Sequence, residues 1–200
     1  MVIALPKGRI GEEVLGLFRQ LYGEEFRFEG RRLILEQGGF KFLNVRNWDV
    51  AVYVEQGSAD IGIVGLDVLE ELQSQVFRVL DLGLGRCRVS VAGLPGGEVK
   101  AGDKIATKLP NITRRHFEQK GVPVEIIKLN GSIELAPLVG LSDFIVDIVE
   151  TGATLRENGL AELEPIMEST AHLIVNRYSF WLKRREILEL SDRLAQLVGA

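Results

Sequence analysis

Two acids and a threonine-glycine turn lie close together in residues 143–159, a combination of residue types that suits a phosphorylated sugar. The apolar run Phe144–Val149 predicts a buried strand. Asp147 lies within that run, and Glu150 follows it directly. A carboxylate accepts hydrogen bonds and can take two O–H donors, so both acids are candidates for binding sugar hydroxyls.

The turn that follows reads Thr151-Gly152-Ala153-Thr154, and a short helix is predicted to begin at Leu155. Backbone N–H groups at a helix N-terminus can point at a phosphate, and threonine hydroxyls can add to them. Gly152 allows a turn that a side chain would block. A phosphate loop beside ribose-binding acids is what a site for phosphoribosyl diphosphate (PRPP) requires. The same residues are equally typical of a core strand, a capped turn and a surface helix.

Strand and helix patterns alternate over most of the chain, which indicates an α/β protein with mixed sheets. The predicted strands are residues 2–5, 32–37, 41–45, 60–65, 77–80, 87–92, 104–107, 124–129, 144–149, 163–167 and 171–176. The predicted helices are residues 10–21, a segment with Asp49 as its N-cap, and residues 66–72, 110–120, 133–141 and 179–198.

The clearest break in the pattern is Gly-Leu-Pro-Gly-Gly at residues 93–97, which predicts two lobes. We assign residues 1–92 plus 171–200 to a discontinuous first lobe and residues 93–170 to a second lobe that carries the phosphate-loop candidate. The helix at residues 179–198, with Trp181 on its apolar face, is expected to pack on the first lobe.

Ligands in such folds bind at the carboxyl ends of strands and between lobes. The turns at residues 6–9 and 150–154 both follow predicted strands. Both turns are therefore expected to face one cleft.

Composition narrows the class of protein. The chain has 200 residues, is 46% hydrophobic and carries a formal net charge of −4, which argues against a nucleic-acid scaffold. It lacks the roughly 18 uninterrupted apolar residues of a membrane span, and its first residues do not read as a signal peptide, so we expect a cytoplasmic protein. One cysteine and two distant histidines give no metal-binding set.

Five blocks of sequence resemble the ATP phosphoribosyltransferase family, in the family's order and over nearly the whole chain. They are residues 4–10 (ALPKGRI), 53–67 (YVEQGSADIGIVGLD), 105–108 (IATK), 131–141 (GSIELAPLVGL) and 147–155 (DIVETGATL). A chance match to five ordered motifs is not credible, so the set is highly specific.

This resemblance implies an enzyme that transfers the 5-phosphoribosyl group of PRPP to N1 of ATP and releases pyrophosphate, with Mg²⁺, as the first step of histidine biosynthesis. It implies a two-lobed fold of the periplasmic-binding-protein type (type II), with mixed sheets and a cleft between the lobes. The chain ends soon after residue 198 and therefore resembles the short form of the family. Short forms work with a regulatory subunit related to histidyl-tRNA synthetase, which implies a hetero-octamer and self-association into dimers.

The resemblance also assigns roles within the loop at residues 150–155. The 5′-phosphate would bind the hydroxyls of Thr151 and Thr154 and the backbone amides of Gly152, Ala153, Thr154 and Leu155. Asp147 and Glu150 are the candidates for the ribose hydroxyls. Side chains alternate along a strand, so only one of these two acids is expected to point into the site.

Arg9 and Arg31 match family positions expected to hold pyrophosphate or the phosphates of ATP, and they are the catalytic candidates. An arginine fork binds phosphate oxygens bidentately and stays charged. Lys7 is a candidate of the same kind. Asp67 and Ser132 are expected either to line the cleft, as further contacts for ATP or pyrophosphate, or to cap the helices that follow them. No protein ligand of Mg²⁺ is assigned, since PRPP oxygens and water are expected to hold most of its coordination sites.

Three alternatives remain at this point. A salvage phosphoribosyltransferase acting on a free base has a loop similar to residues 147–154, but with different spacing and without the other four blocks. A periplasmic solute receptor shares the two-lobed fold, although the expected lack of an export signal counts against it. A scaffold subunit without activity is the third. Consumption of ATP and turnover of the ligand would separate them.

Overall fold

The computed structural model describes residues 1–199 and divides into two compact units. The first unit consists of Met1–Gly85 together with the segment from Thr170 onward, and the second consists of Arg86–Ser169. The first unit is therefore discontinuous in sequence, with the second inserted into it.

The first unit is a mixed sheet with helices on both faces. Its elements are β1 (Val2–Pro6), α1 (Arg9–Tyr22), β2 (Ile34–Gln37), β3 (Phe40–Val45), α2 (Asn47–Glu55), β4 (Ile61–Gly65), α3 (Leu66–Leu72), β5 (Phe77–Asp81), β11 (Ala171–Val175), α7 (Arg177–Leu182) and α8 (Arg184–Val198). The strand order is β2-β3-β1-β4-β11-β5. Strand β1 runs parallel to β3 and β4, and β11 runs antiparallel to β4 and β5.

Alternation along β1 explains why both faces of this sheet are covered. Ile3 and Leu5 are fully buried in the core that α1 and α8 close, whereas Ala4 is buried in the core that α2 and α3 close. Phe18 of α1 lies at the centre of an aromatic cluster and makes an edge-to-face contact with Phe42 at a centroid distance of 5.0 Å. Burial of these side chains on two faces fixes the position of β1, which leads into the first candidate turn.

The second unit is also a mixed sheet. Its elements are β6 (Cys87–Gly93), β7 (Lys104–Thr107), α4 (Pro110–Lys120), β8 (Glu125–Lys128), α5 (Leu135–Leu138), β9 (Phe144–Val149), α6 (Ala153–Glu157) and β10 (Ala161–Ser169). The strand order is β10-β6-β9-β7-β8. Strand β9 runs parallel to β7 and antiparallel to β6, so the apolar run identified in the sequence is a central strand.

Two predicted helices near the sites have different bounds in the structure. The helix predicted to have Asp49 as its N-cap begins at Asn47, with Arg46 at the N-cap position, so Asp49 is an acid of its first turn. The helix predicted over residues 133–141 is confined to Leu135–Leu138. Gly140 has φ +72, a left-handed conformation that cannot continue a right-handed helix.

The long C-terminal helix predicted over residues 179–198 is wrong in two respects. Its first part begins earlier, because Asn176 caps α7 by accepting hydrogen bonds from the amides of Tyr178 and Ser179, both at 2.9 Å. The helix then breaks at Lys183, where α7 ends and α8 begins. Trp181, predicted on the buried apolar face, is 72% exposed.

The boundary between the units also differs from the predicted one. The sequence analysis assigned residues 86–92 to the first lobe and Thr170 to the second, whereas the structure divides between Gly85 and Arg86 and between Ser169 and Thr170. Strand β6 pairs with both β9 and β10, and these pairings place it in the second unit. The Gly-rich break at residues 93–97 therefore marks the end of a strand of the second unit.

Among residues 1–199, no helix is both long and apolar enough to cross a membrane.

Candidate active site

The loop at residues 150–155 of the second unit connects the central strand β9 to α6. Gly152 is the N-cap residue of α6, with φ +72 and ψ 9. The backbone N–H of Ala153 donates to Thr151 Oγ1 at 3.3 Å, and Arg156 Nη1 donates to the carbonyl of Thr151 at 3.0 Å. These bonds hold the turn from both of its ends. The first-turn amides of α6, which lack partners within the helix, therefore have a defined direction.

Asp147 lies within β9, separated from this loop by Ile148 and Val149, and is nearly buried. Its side chain is 11% exposed, and Lys108 Nζ lies 3.0 Å from its Oδ1. The same Oδ1 accepts the backbone N–H of Ile148 at 2.8 Å. Glu150, by contrast, is an exposed residue. The two acids predicted for the ribose hydroxyls thus differ in setting, with Asp147 tied to the sheet and Glu150 at the surface beside Thr151.

Lys108 is a residue to which the sequence analysis gave no role. It follows β7, and its block (IATK) was part of the family resemblance, which is the signal that could have identified it. Periodicity alone could not reveal its contact with Asp147, because the contact depends on the parallel pairing of β7 with β9.

Glu162 provides a second carboxylate on the same face of this sheet. Ser90 is the register partner of Asp147 across β6 and β9, and Ser90 Oγ donates to Glu162 Oε1 at 2.7 Å. Both nitrogens of the Arg88 fork donate to the Glu162 carboxylate. Hydrogen bonding to Arg88 holds the pKa of Glu162 below its ordinary value. Glu162 is therefore a structural acid whose oxygens are already engaged.

Ser132, which precedes α5 in the second unit, has a left-handed backbone with φ +49. The N-cap position of α5 is Glu134, so Ser132 is not the N-cap that one of the two predictions made of it. Non-glycine residues with positive φ are uncommon and cluster at functional sites. This conformation supports the other prediction, in which Ser132 lines a ligand site.

The turn Lys7-Gly8-Arg9 stands at the carboxyl end of β1 in the first unit. Gly8 has φ +94 and is the N-cap residue of α1. A Cβ on Gly11 would lie 2.2 Å from the carbonyl oxygen of Pro6, so the close approach of α1 to the end of β1 requires glycine there. Lys7 and Arg9 are both exposed, and Arg9 Nε lies 4.0 Å from Glu13 Oε1.

A cavity of about 570 Å³ lies in the first unit beside this turn. Its lining includes Gly8 and Gly30, the immediate neighbours of Arg9 and Arg31. Phe26 and Phe28 supply aromatic surface to the same cavity. Arg31 itself is exposed in the turn before β2.

Asp67 lies in the first turn of α3, directly after β4, and is 4% exposed. Gly65 occupies the N-cap position of that helix, so the predicted capping role of Asp67 is wrong. Because β1 and β4 are adjacent and parallel, Asp67 follows the same edge of the sheet as the turn at Lys7. The predicted residues thus form two groups, one in each unit.

The comparisons with known proteins identify the family. The family model described as HisG, ATP phosphoribosyltransferase, matches residues 46–196. An ATP phosphoribosyltransferase of Campylobacter curvus is 56% identical over 202 residues, which is 99% of this chain and 98% of that protein. The chain belongs to the ATP phosphoribosyltransferase family. An ATP phosphoribosyltransferase of Wolinella succinogenes is also 56% identical, over 98% of this chain and 97% of its own length.

Solved structures agree with this family and with the predicted fold class. The ATP phosphoribosyl transferase (HisG:HisZ) complex of Thermotoga maritima contains a chain with a TM-score of 0.87 and 38% identity, covering 100% of this chain and 98% of that one. The periplasmic aliphatic sulphonate binding protein SsuA of Escherichia coli has a TM-score of 0.64 at 13% identity, over 100% of this chain and 72% of its own, which shows likeness of fold alone.

Family membership confirms the predicted enzyme class, a glycosyltransferase that moves a pentosyl group. It decides against the salvage phosphoribosyltransferase and the solute receptor. Turnover of the substrates by the purified chain separates the enzyme from an inactive scaffold. The periplasmic-binding-protein-like fold with mixed sheets is confirmed as well.

Proposed function

We propose that this chain transfers the 5-phosphoribosyl group of PRPP to N1 of ATP, with release of pyrophosphate, and that the two groups of residues described above divide the work. The observation that carries the proposal is the loop at residues 150–155, which follows the strand containing the nearly buried Asp147, in a chain of this family. Hydroxyls and amides suit a sugar phosphate, and the carboxylate suits the ribose.

In the second unit, the 5′-phosphate would accept hydrogen bonds from the first-turn amides of α6 and from the hydroxyls of Thr151 and Thr154. Asp147 and Glu150 would accept hydrogen bonds from the ribose hydroxyls. Ser132, with its left-handed backbone, is proposed as a further contact for pyrophosphate or ATP. These groups bind the donor substrate without forming a covalent bond to it.

In the first unit, Arg9 and Arg31 would hold pyrophosphate or the phosphates of ATP, with Lys7 and Asp67 as further contacts. Attack by the adenine nitrogen on the anomeric carbon passes through an oxocarbenium-like state as pyrophosphate leaves. Arginine forks neutralise the charge that develops on the leaving group, which lowers the barrier most where water is excluded. Correct alignment of the two substrates contributes the rest.

Mg²⁺ is proposed to be carried mainly by the oxygens of PRPP and ATP. Within residues 1–199, no group of three or more His, Cys, Asp or Glu side chains could hold a metal ion. Mg²⁺ generally keeps several waters and relies on substrate phosphates, which is why few protein ligands are proposed for it. When bound, the ion would supply positive charge for the pyrophosphate group.

Family membership also bears on the assembly of this chain and on its location in the cell. The solved relative from Thermotoga maritima is a HisG:HisZ complex, which supports a regulatory subunit as the partner of this chain. We propose dimers of this chain within a hetero-octamer, in the cytoplasm where PRPP and ATP are available. The molar mass of the chain alone and with that subunit, from light scattering after gel filtration, tests the assembly.

The reaction is tested by incubating the purified chain with Mg²⁺, PRPP and ATP, together with pyrophosphatase to remove pyrophosphate. Mass spectrometry should detect phosphoribosyl-ATP only when both substrates are present. Binding of PRPP, measured separately by calorimetry, divides the negative outcomes. PRPP binding without product would indicate that the regulatory subunit is required, whereas absence of both would overturn the proposed role of residues 150–155.

A further inference from the structure

We propose that Lys108 is a positioning residue that orients Asp147 toward the donor substrate, an inference that rests on the proposed function of the second unit. The contact is direct, with Lys108 Nζ 3.0 Å from Asp147 Oδ1. Lys108 would act through the carboxylate and would not touch the substrate.

The distribution of bonds over the Asp147 carboxylate supports this role. Lys108 and the backbone N–H of Ile148 both donate to the same oxygen, Oδ1, at 3.0 and 2.8 Å. With Oδ1 held from two directions, the plane of the carboxylate and the direction of Oδ2 are fixed. Oδ2 is the atom left to accept a hydroxyl of the ribose.

Hydrogen bonds hold the backbone on both sides of Lys108. An ion pair at the surface would form without such support. Thr107, before it, is fully buried, and its Oγ1 donates to the carbonyl of Val146 at 2.7 Å. Leu109, after it, donates its backbone N–H to Thr107 Oγ1 at 2.9 Å. Thr113 Oγ1 in turn donates to the carbonyl of Leu109 at 2.7 Å. These hydrogen bonds therefore hold the backbone of Lys108 in place beside β9, the strand that carries Asp147.

The register of the sheet explains why the pair forms. Thr107 of β7 is the parallel partner of Val146 of β9, so Lys108 and Asp147 are the next residues along the two strands. Both emerge at the carboxyl ends of adjacent parallel strands, where α/β proteins place their ligands. The Lys108 side chain is 29% exposed, so it is partly shielded from solvent screening.

Comparison with Glu162 separates a positioning role from a structural one. The Glu162 carboxylate is held by the Arg88 fork and by Ser90, so both of its oxygens are engaged within the protein. Asp147 has a single lysine and a single amide, both on one oxygen. The first arrangement locks a carboxylate into the fold, whereas the second, within residues 1–199, engages only one of the two oxygens.

The test uses Lys108→Met, which removes the ammonium and keeps a flexible side chain. We expect PRPP affinity, measured by calorimetry, to fall about 10- to 100-fold, the range expected when a positioning contact is lost. The KM for ATP at saturating PRPP should stay within about twofold, because ATP contacts are assigned to other residues. Lys108→Arg, which keeps a cation, should recover part of the PRPP affinity.

Lys120→Met is the matched control. Lys120 Nζ lies 2.6 Å from Glu164 Oε2 in the same unit, so this change also removes a lysine–carboxylate pair. It should leave PRPP affinity unchanged. Thermal unfolding of both variants shows whether any loss with Lys108→Met reflects the fold of the unit.

A double-mutant cycle with Asp147→Asn decides between action through Asp147 and direct contact. If Lys108 acts through Asp147, adding Lys108→Met to Asp147→Asn should change PRPP affinity by less than about twofold. Independent, multiplying losses would overturn the inference, as would wild-type affinity in Lys108→Met. A wild-type chain that binds no PRPP would remove the proposed function and the inference together, whereas wild-type binding with an unaffected variant removes the inference alone.

Discussion

The turn at Lys7-Gly8-Arg9 and the loop at residues 150–155 share a backbone design and differ in chemistry. In each, a buried strand leads to a glycine with positive φ that is the N-cap residue of the next helix, Gly8 at φ +94 and Gly152 at φ +72. The first turn presents cations, whereas the second presents hydroxyls and acids. The same backbone arrangement therefore carries two different sets of side chains.

The two turns are also held in different ways. Helix α1 is 14 residues long and buries Val14 and Phe18 in the core, so packing fixes the turn before it. Helix α6 has only 5 residues, and the bond from Arg156 to the carbonyl of Thr151 closes the loop locally. Packing of α1 in the core therefore holds the turn at residues 7–9, whereas local hydrogen bonds hold the loop at residues 150–155.

The largest expected effect is on the basic turn. Replacing Arg9 by alanine should lower kcat about 100- to 1,000-fold at saturating substrates, because a charged donor to the leaving group is lost. Arg185→Ala is the control, since Arg185 also pairs with a glutamate one helical turn away, at 2.8 Å from Glu189. Steady-state kinetics of both variants measure the effect. Full kcat in Arg9→Ala would remove this residue from the leaving-group site.

The two N-cap glycines should differ in their cost of substitution. Gly8→Ala forces an alanine into φ +94 and ψ −157, a region essentially restricted to glycine, and should cost about 1–3 kcal/mol of unfolding free energy. Gly152→Ala needs the left-handed helical region and should cost about 1–2 kcal/mol.

Urea unfolding of both glycine variants measures the difference. Gly16→Ala, in the interior of α1 with open space around the added Cβ, is the control and should be neutral or stabilising by up to about 1 kcal/mol. A cost below about 1 kcal/mol for either variant would show that the backbone at that glycine can adopt a conformation open to alanine.

A smaller effect is expected from the hydroxyl of Thr154. Thr154→Val keeps the shape of the side chain and removes the donor to the 5′-phosphate, so the KM for PRPP should rise about tenfold, within the range for a hydrogen bond to a charged group. The KM for ATP should not change. Thr154→Ser retains the hydroxyl and should behave as the wild type. If valine and serine gave the same KM for PRPP, the hydroxyl would have no part in binding.

The smallest expected effect concerns the acid that anchors the strand before the basic turn. Asp60 Oδ2 accepts the backbone N–H of Val2 at 2.8 Å and the ammonium of Lys183 at 2.7 Å. Burial alone would raise the pKa of Asp60, but hydrogen bonds from Lys183, Val2 and Ser179 outweigh it, and the pKa lies below the ordinary 3.8. The carboxylate therefore stabilises the fold above pH 3.8, and this contribution is lost as the pH falls through its folded pKa.

Asp60→Asn removes that contribution at neutral pH. We expect a loss of about 1 kcal/mol or less, because Lys183 is 37% exposed and solvent screens the pair. Unfolding free energies measured from pH 6 down to pH 2.5 should show the difference between wild type and variant shrinking below about pH 4. A difference that stayed constant with pH would mean that the shape of Asp60, and not its charge, holds β1.

Local sequence patterns predicted much of the fold. The apolar run at residues 144–149 predicted β9 with its observed bounds, and the strands predicted at residues 32–37 and 41–45 correspond to the antiparallel pair β2 and β3. The break at Lys183 was missed because the apolar periodicity continues through it. At the break, Lys183 donates to Asp60, a residue far away in sequence, and such a tertiary contact cannot be read from local periodicity.

The candidate site was predictable only as far as its motifs extend. The blocks at residues 4–10 and 147–155 pointed to Arg9 and Asp147, and the structure places Arg9 at the start of α1, just after β1, and Asp147 within β9. The Lys108–Asp147 contact could not be predicted, because it requires the register of two strands whose residues Thr107 and Val146 are 39 positions apart. The roles of all these residues in catalysis stay predictions.

The insertion of the second unit into the first has a consequence for synthesis on the ribosome. Strand β11 lies between β4 and β5, so the first sheet cannot be completed until Ala171–Val175 has left the exit tunnel. All strands of the second unit, by contrast, have been translated by Ser169. The second unit can therefore finish folding first, although its synthesis begins later. Until β11 is available, β4 and β5 remain without the strand that joins them, and nascent chains at such a stage are exposed to aggregation and to chaperones.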